Sequence, residues 1–200
     1  MIDSKTDELK IFQKRIENLN YFIEHNNNQF YIISNLKKNY KIFKTSSSNQ
    51  KTEIENWIEV LPNGKEASFE TIDDIDMFEN YLVIYEKKNF NSKFQILNIN
   101  TNEMKTIELP FEYSSILPGM NIEFKSKFSY FSYNSPLHSQ KNCKINLTNG
   151  SFQEIVKKKK EENLEDFYKI ERILVTSEID KSVKIPLTLI YHKFLQKDFE

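Results

Sequence analysis

The sequence predicts an all-β fold, and three observations carry that prediction. Short aromatic and β-branched runs, each bounded by Asn, Lys or Ser, follow one another from Leu19 to Ser48 in the manner of consecutive antiparallel strands. The pattern then returns: QFYIISN begins at Gln29, NYLVIYE at Asn80 and KFSYFSY at Lys127. Each is followed by a second strand, KIFKT from Lys41, FQILNIN from Phe94 and KINLTNG from Lys144. The repeat recurs about every fifty residues with about four short strands per unit, which is the period of β-propeller blades. The expected architecture is a partial β-propeller of about three to four antiparallel four-stranded blades.

Taken in order, the chain begins with an ambiguous stretch. Leu9, Phe12, Ile16 and Leu19 lie three or four residues apart, the period of an amphipathic helix, but residues 7–19 are short and lack a glycine stop. Residues 21–25, 29–35 and 40–45 read as strands separated by Asn-rich turns. A polar loop over Thr45 to Thr52 leads to a fourth strand, Trp57 to Leu61, which ends at the Pro62-Asn63-Gly64 turn. The second unit has strands expected at Ser68 to Ile72, Met77 to Tyr85, Phe94 to Ile99 and Met104 to Leu109. Those of the third are Met120 to Phe124, Phe128 to Tyr133, Lys144 to Leu147 and Phe152 to Val156, with a tight turn at Asn149-Gly150. The charged segment Lys157 to Asp166 interrupts the pattern before strands resume at Tyr168 to Thr176 and, past an Asp180-Lys181 turn, at Val183 to Tyr191. The repeat register is lost there, so a domain change is expected near Glu178, dividing residues 1–178 from 179–200.

Composition fits a packed sheet protein. Only 38% of residues are hydrophobic, but 16 Phe, 10 Tyr and 1 Trp supply rings that each bury on the order of 150–250 Å². With 3 Gly available, the turns must lean on Asn, which tolerates left-handed backbone. Lys+Arg 28 against Asp+Glu 29 leaves a net charge of −1, so no overall charge draws the chain to nucleic acid or to an acidic membrane surface. Cys143 is the single cysteine, so no internal disulfide can form, and MIDSKTDELK has no apolar core of the kind a secretory leader carries. No apolar run approaches the length that spans a bilayer, and the cytoplasm is the expected compartment.

No stretch carries a reaction by itself. With Gly only at 64, 119 and 150, neither a Gly-x-Ser-x-Gly nucleophile elbow nor a phosphate-cradling loop is possible. Ser46 to Ser48 have no His or acid beside them in sequence and read as turn residues. His25, His138 and His192 stand singly, without zinc-ligand spacing, and read as strand-end or surface histidines. Cys143 precedes a strand and reads as an inert, partly buried thiol. The Lys157 to Lys160 run is neutralised by Glu161, Glu162, Glu165 and Asp166 and reads as a solvated loop. Asn146-Leu147-Thr148 and Asn149-Gly150-Ser151 fit the glycosylation sequon, which has no use without a secretory route. Phe30, Tyr81 and Phe128 could stack on bases or sugars, but inter-sheet packing is the commoner use of aromatics at alternating positions. No catalytic, cofactor-binding or metal-binding residue is assigned.

The repeats and the C-terminal segment together resemble oligopeptidase B, within the prolyl oligopeptidase family of serine peptidases. RIENLNYFIEHNNNQFYIISNLKKNYKIFKT at 15–45, ENYLVIYEKKNFNSKFQILNINT at 79–101 and KFSYFSYNSPLHSQKNCKINLTNGSFQEI at 127–155 carry the likeness. A fourth stretch, ERILVTSEIDKSVKIPLTLIYHK at 171–193, is similar to the crossing from propeller into hydrolase domain, with Ile185-Pro186 leading to Tyr191-His192.

The resemblance implies the last blades of a seven-bladed propeller followed by the first strand of an α/β-hydrolase domain, and extended chain over residues 7–19. It implies a parent serine-type endopeptidase cleaving short peptides after basic residues, with the propeller as its gate. The Ser, Asp and His of the triad, and the acids that select basic side chains, would lie beyond Glu200. The expected partners are the missing blades and hydrolase domain, and the short peptide substrates of the intact enzyme. Open blade faces and unpaired strands predict marginal stability without such a partner. A stand-alone binding module and a non-functional remnant are the alternatives.

Overall fold

The computed structural model describes residues 8–47, 52–61, 69–156 and 163–195. Three four-stranded antiparallel sheets follow one another along the chain as blades of a partial β-propeller, and a two-stranded hairpin follows them. Blade 1 holds β1 (Tyr21–Asn26), β2 (Gln29–Ser34), β3 (Lys41–Ser46) and β4 (Ile58–Glu59); blade 2 holds β5 (Thr71–Met77), β6 (Tyr81–Lys88), β7 (Asn91–Asn98) and β8 (Met104–Ile107). Blade 3 holds β9 (Ser115–Pro118), β10 (Phe128–Ser135), β11 (His138–Asn146) and β12 (Phe152–Glu154), and the hairpin pairs β13 (Tyr168–Thr176) with β14 (Lys184–His192). Every sheet is ordered as its strands occur in sequence, so each blade is a simple meander.

Asparagine does the work that glycine does in richer sequences. Asn27, Asn89 and Asn102 adopt φ of 53°, 49° and 59°, a left-handed region that an Asn side chain stabilises locally. Phe90, at φ 64°, joins Asn89 in the two-residue turn between β6 and β7, which therefore has the backbone of a type I′ hairpin.

The core lies between blades. Tyr31, Ile33 and Ile42 of blade 1 meet Ile72, Ile75, Met77, Leu82 and Ile84 of blade 2. Val83, Tyr85, Phe94 and Ile96 on the opposite face of blade 2 meet Phe131, Tyr133, Cys143 and Ile145 of blade 3. Because β6 is covered on both faces, its run Leu82 to Tyr85 is continuously apolar and fully buried. Each such side chain contributes about 1.5–3 kcal/mol by leaving water. The turn between β5 and β6 ties all three blades together. Asn26 Nδ2 donates to Phe78 O at 2.8 Å and Glu79 O at 3.1 Å, and Glu79 N donates to Phe124 O at 2.8 Å.

The two ends of the array differ. On blade 1, residues 8–16 run without helix, and Phe12 inserts edge-on to Phe30, 5.0 Å away, and beside Trp57 and Tyr21. Ile54 N donates to Gln13 Oε1 at 2.7 Å and fixes the segment. The helical period of residues 7–19 is thus not realised over the described residues. Leu9 and Ile11 are exposed, and an isolated helix this short is marginal, whereas extended chain delivers Phe12 to an aromatic slot. On the far face of blade 3, Lys144 Nζ lies 3.9 Å from the Phe128 ring centre, and Ser132 and Asn142 share its side of the sheet. That face mixes these polar groups with the partly exposed Phe128, Tyr130 and Leu117, where the corresponding faces of blades 1 and 2 are apolar and buried.

Most expected strands fall within a few residues of the observed ones. Two do not. The expected strands at Ser68 to Ile72 and Met77 to Tyr85 are replaced by β5 and β6, with the turn at Phe78 to Asn80. The Asp73-Asp74-Ile75-Asp76 stretch looks turn-like, yet it forms an edge strand with a register shift between Ile72 and Asp74. Met120 to Phe124 forms no strand; β9 takes the edge instead and ends where Gly119 N donates to Tyr130 O at 2.9 Å. The Pro62-Asn63-Gly64 turn lies outside the described residues, and the expected domain change at Glu178 falls within the turn of the β13–β14 hairpin.

Candidate functional site: the inner strands of the blades

In a propeller the first strand of each blade lies innermost, here β1, β5 and β9. Register sets Glu24 opposite Tyr31, on the face of blade 1 toward blade 2, and Asp74 and Asp76 opposite Tyr85 and Val83, on the face of blade 2 toward blade 3. Asp76 Oδ2 accepts hydrogen bonds from the Tyr85 hydroxyl at 2.7 Å and from Asn121 Nδ2 at 2.8 Å. Asn121 is itself fixed to blade 3, accepting from Tyr130 N at 2.7 Å and donating to Tyr130 O at 2.9 Å. The network therefore spans blades 2 and 3, while Glu24 brings in blade 1.

The three acids crowd one another. Burial, then the charges of Asp76 and Asp74, push the Glu24 carboxyl above the ordinary range. Burial also raises Asp76, with Asp74 adding to the effect and the Tyr85 and Asn121 hydrogen bonds opposing it. Tyr85 is driven upward by burial and by its acidic neighbour, so it stays a neutral donor. Chemically this is a cluster of carboxyls that can attract cationic groups.

The residues singled out from sequence are scattered. Ser46 ends β3, Ser47 follows it with its N donating to Asn28 O at 2.8 Å, and Ser48 lies outside the described residues. His25 is exposed, with its ring 5.0 Å from Phe30; His192 sits among Phe167, Tyr168 and Phe194. Cys143 is buried between blades 2 and 3, its thiol pushed up to about 11 by burial and by Glu154. Asn146 and Asn149 use their side-chain oxygens to shape the β11–β12 turn, accepting from Thr148 N and Ser151 N respectively. Phe30 is core, Tyr81 is half-buried, and Phe128 is covered by Lys144; Lys157 to Lys160 lie outside the described residues. Among the described residues no group of three or more His, Cys, Asp and Glu could hold a metal. Nor is any described helix long and apolar enough to cross a membrane.

One contact set imitates a triad. His138 Nδ1 lies 2.8 Å from Ser135 Oγ and its Nε2 3.5 Å from Glu165 Oε1. However, Ser135 and His138 are the pair that closes the β10–β11 turn, and the imidazole is stacked on Phe111 at 3.4 Å. The serine is a turn residue bonded to the neighbouring imidazole. Neither this cluster nor the acidic one was marked in the sequence. The available signal for the second was three Asp within six residues of a strand-length run.

A family model described as the prolyl oligopeptidase N-terminal beta-propeller domain matches residues 1–169. A prolyl endopeptidase-like protein of Macaca fascicularis is 22% identical over 200 residues, covering 98% of this chain and 26% of its own length. One of Gallus gallus is 26% identical over 130 residues, 64% of this chain and 17% of its own. Among solved structures, oligopeptidase B from Trypanosoma brucei, in a closed form with covalently bound antipain, superposes with a TM-score of 0.78 at 15% identity, covering 98% of this chain and 28% of that one. Oligopeptidase B from Leishmania major gives 0.77 at 16% identity, with the same coverage. The chain spans about a quarter of the length of the relatives it matches from end to end. With three blades in place and the family model covering them, the chain belongs to the prolyl oligopeptidase family as a portion of its N-terminal β-propeller.

Proposed function

We propose that this chain supplies part of the gating propeller of an oligopeptidase B-like serine endopeptidase that cleaves short peptides after basic residues. The observation that carries the reading is an apolar hairpin that follows the blades and pairs with none of the three blade sheets. Ile173, Leu174, Val175, Ile185, Leu187 and Ile190 are all exposed on it. Exposed apolar surface of that kind marks an interface. In this reading residues 1–178 are the last blades, and residues 179–200 open the α/β-hydrolase domain with β13 paired to its first strand. The chain contributes no catalytic residue, cofactor site or metal site; the nucleophile, base and orienting acid belong to the hydrolase domain. The blades admit short peptides and exclude folded proteins, and Glu24, Asp74 and Asp76 add negative potential that favours cationic ones. The partners are the remaining blades, the hydrolase domain and the peptide substrates, with no nucleic acid or membrane, and the cytoplasm is the setting.

The test is hydrolysis of a short arginyl-amide peptide by the purified 200-residue chain, alone and mixed with the hydrolase domain and remaining blades. Activity confined to the mixture is expected. Activity of the chain alone would overturn the assignment of catalysis elsewhere. Silence in every mixture would overturn the gate reading and leave a binding module or a remnant.

A further inference from the structure

Arg172 is fixed to two elements at once. It faces Thr188 across the β13–β14 hairpin, and its Nε donates to Thr188 Oγ1 at 3.2 Å, so the guanidinium is set relative to both strands. Nη1 then reaches blade 2, donating to Phe90 O at 2.9 Å and to Asn91 Oδ1 at 2.8 Å. The same group lies over the Tyr113 ring, 4.6 Å from its centre. One of those partners, Tyr113, holds unusual backbone at φ 55°, while the φ of 64° at Phe90 belongs to the β6–β7 turn. Bulky side chains rarely adopt this left-handed region, and strain of this sort persists where surrounding contacts enforce it and clusters at clamps and switches. A second contact holds the chain entering the hairpin, Glu165 against His138 on the β10–β11 turn of blade 3.

From this convergence we propose that Arg172 is a latch. Engaged with Phe90, Asn91 and Tyr113, it fixes the angle between the hairpin and the rim of blades 2 and 3. Released, it leaves the hairpin joined to the blades through the 163–167 segment, free to swing as a unit. Arg172 suits the task because its planar fork can donate in two directions while its face rests on an aromatic ring. Lys184 and Lys169, the neighbouring cations of the hairpin, are instead directed to Thr176 and Glu171. Should the hairpin root a peptidase domain, the latch also sets how that domain sits over the blades; this extension rests on the function proposed above, whereas the latch itself does not.

The experiment uses the full chain with Cys143→Ala and nitroxide labels at Thr106 on blade 2 and Ile185 on the hairpin, both exposed. Pulsed dipolar spectroscopy gives the distance distribution, and hydrogen exchange of β6 and β7 amides checks that the blades remain folded. A single narrow distance is expected with Arg172 present. Arg172→Met should broaden it and add a second population, and Arg172→Lys should fall between. Tyr113→Gly, which removes the ring and the strained side chain from the opposite element, should reproduce the broadening and serves if Arg172→Met does not fold. An unchanged distribution in the folded variants overturns the latch. Loss of β6 and β7 protection in both Arg172→Met and Tyr113→Gly overturns it as well, by making the contact part of the core. No outcome depends on peptidase activity, so failure here leaves the family reading standing and the reverse also holds.

Discussion

Phe12→Ala tests whether the N-terminal segment truly closes the open face of blade 1. The Phe12 ring is 5% exposed and wedged among Phe30, Tyr21 and Trp57. Burying a ring of about 150–250 Å² at about 25 cal/mol per Å² gives roughly 4–6 kcal/mol as an upper bound, since unfolded chains already hide part of that surface. Large-to-small replacements of buried Phe cost about 3–5 kcal/mol, so about 3 kcal/mol is the expected loss at a site near the end of the array. Against a typical stability of about 5–15 kcal/mol that is a large share. The assay is urea unfolding followed by tryptophan fluorescence, because Trp57 is the only tryptophan and lies 6.3 Å from the Phe12 ring. Leu9→Ala and Ile11→Ala are the controls: at 78% and 75% exposure each should change stability by under about 0.5 kcal/mol. If Phe12→Ala costs less than about 1 kcal/mol and leaves Trp57 emission unmoved, the segment does not cap the blade and the argument fails.

Three further outcomes follow from the same packing. The Cys143 thiol, pushed up to about 11, should resist a disulfide reagent at pH 8 in the native chain and react once urea unfolds it; prompt native reaction would place it outside the core. Glu24 and Asp76 both have folded-state pKa values raised above their ordinary ones. Their stabilising contribution is therefore present below the ordinary carboxyl values and is lost as pH rises through the raised ones. Asp76→Asn should shrink that acid-side gain in melting temperature and move the Glu24 titration downward by NMR; a Glu24 titration that stays put would show the acids are uncoupled. Gly119→Ala would set a Cβ 2.5 Å from the Tyr130 carbonyl oxygen, a backbone clash expected to cost about 1–3 kcal/mol by urea unfolding, and an unchanged midpoint would show that β9 can yield.

Much of this fold can be read from the chain because β2 and β6 are sandwiched between neighbours and so carry unbroken apolar runs, Phe30 to Ile33 and Leu82 to Tyr85. Such runs repeat visibly. Edge strands carry less signal, which is why β5 and β9 were displaced. Asp73, Asp74 and Asp76 look like a turn until the pairing with β6 is known, and Ser115 to Pro118 has neither length nor alternation enough to announce itself. The acidic site was hidden for the same reason, since Glu24 and Asp76 are brought together only by the stacking of blade on blade. The partnership of Arg172 with residues about eighty positions earlier was beyond any local pattern. The helical period at Leu9, Phe12, Ile16 and Leu19 left that stretch ambiguous, and the extended chain that the resemblance implied is what forms, because of the four only Phe12 packs into the core while Leu9 and Ile16 face solvent.

The strand edges of the blades have a consequence for association. On the inner side β5 breaks register at Asp73 and carries charge along its length, and β9 ends in Pro118. On the outer side β4, β8 and β12 are 2, 4 and 3 residues long. A bulge, a proline, projecting charges and short strands each deny an incoming chain a continuous row of backbone donors and acceptors. Along β5, β9 and the short outer strands an extended polypeptide finds little to pair with as a fifth strand, whereas β1, six residues in unbroken register, is the one inner edge without such a device. The blades thus differ in how they guard their inner edge: blades 2 and 3 carry a bulge with charge and a proline, and blade 1 carries neither.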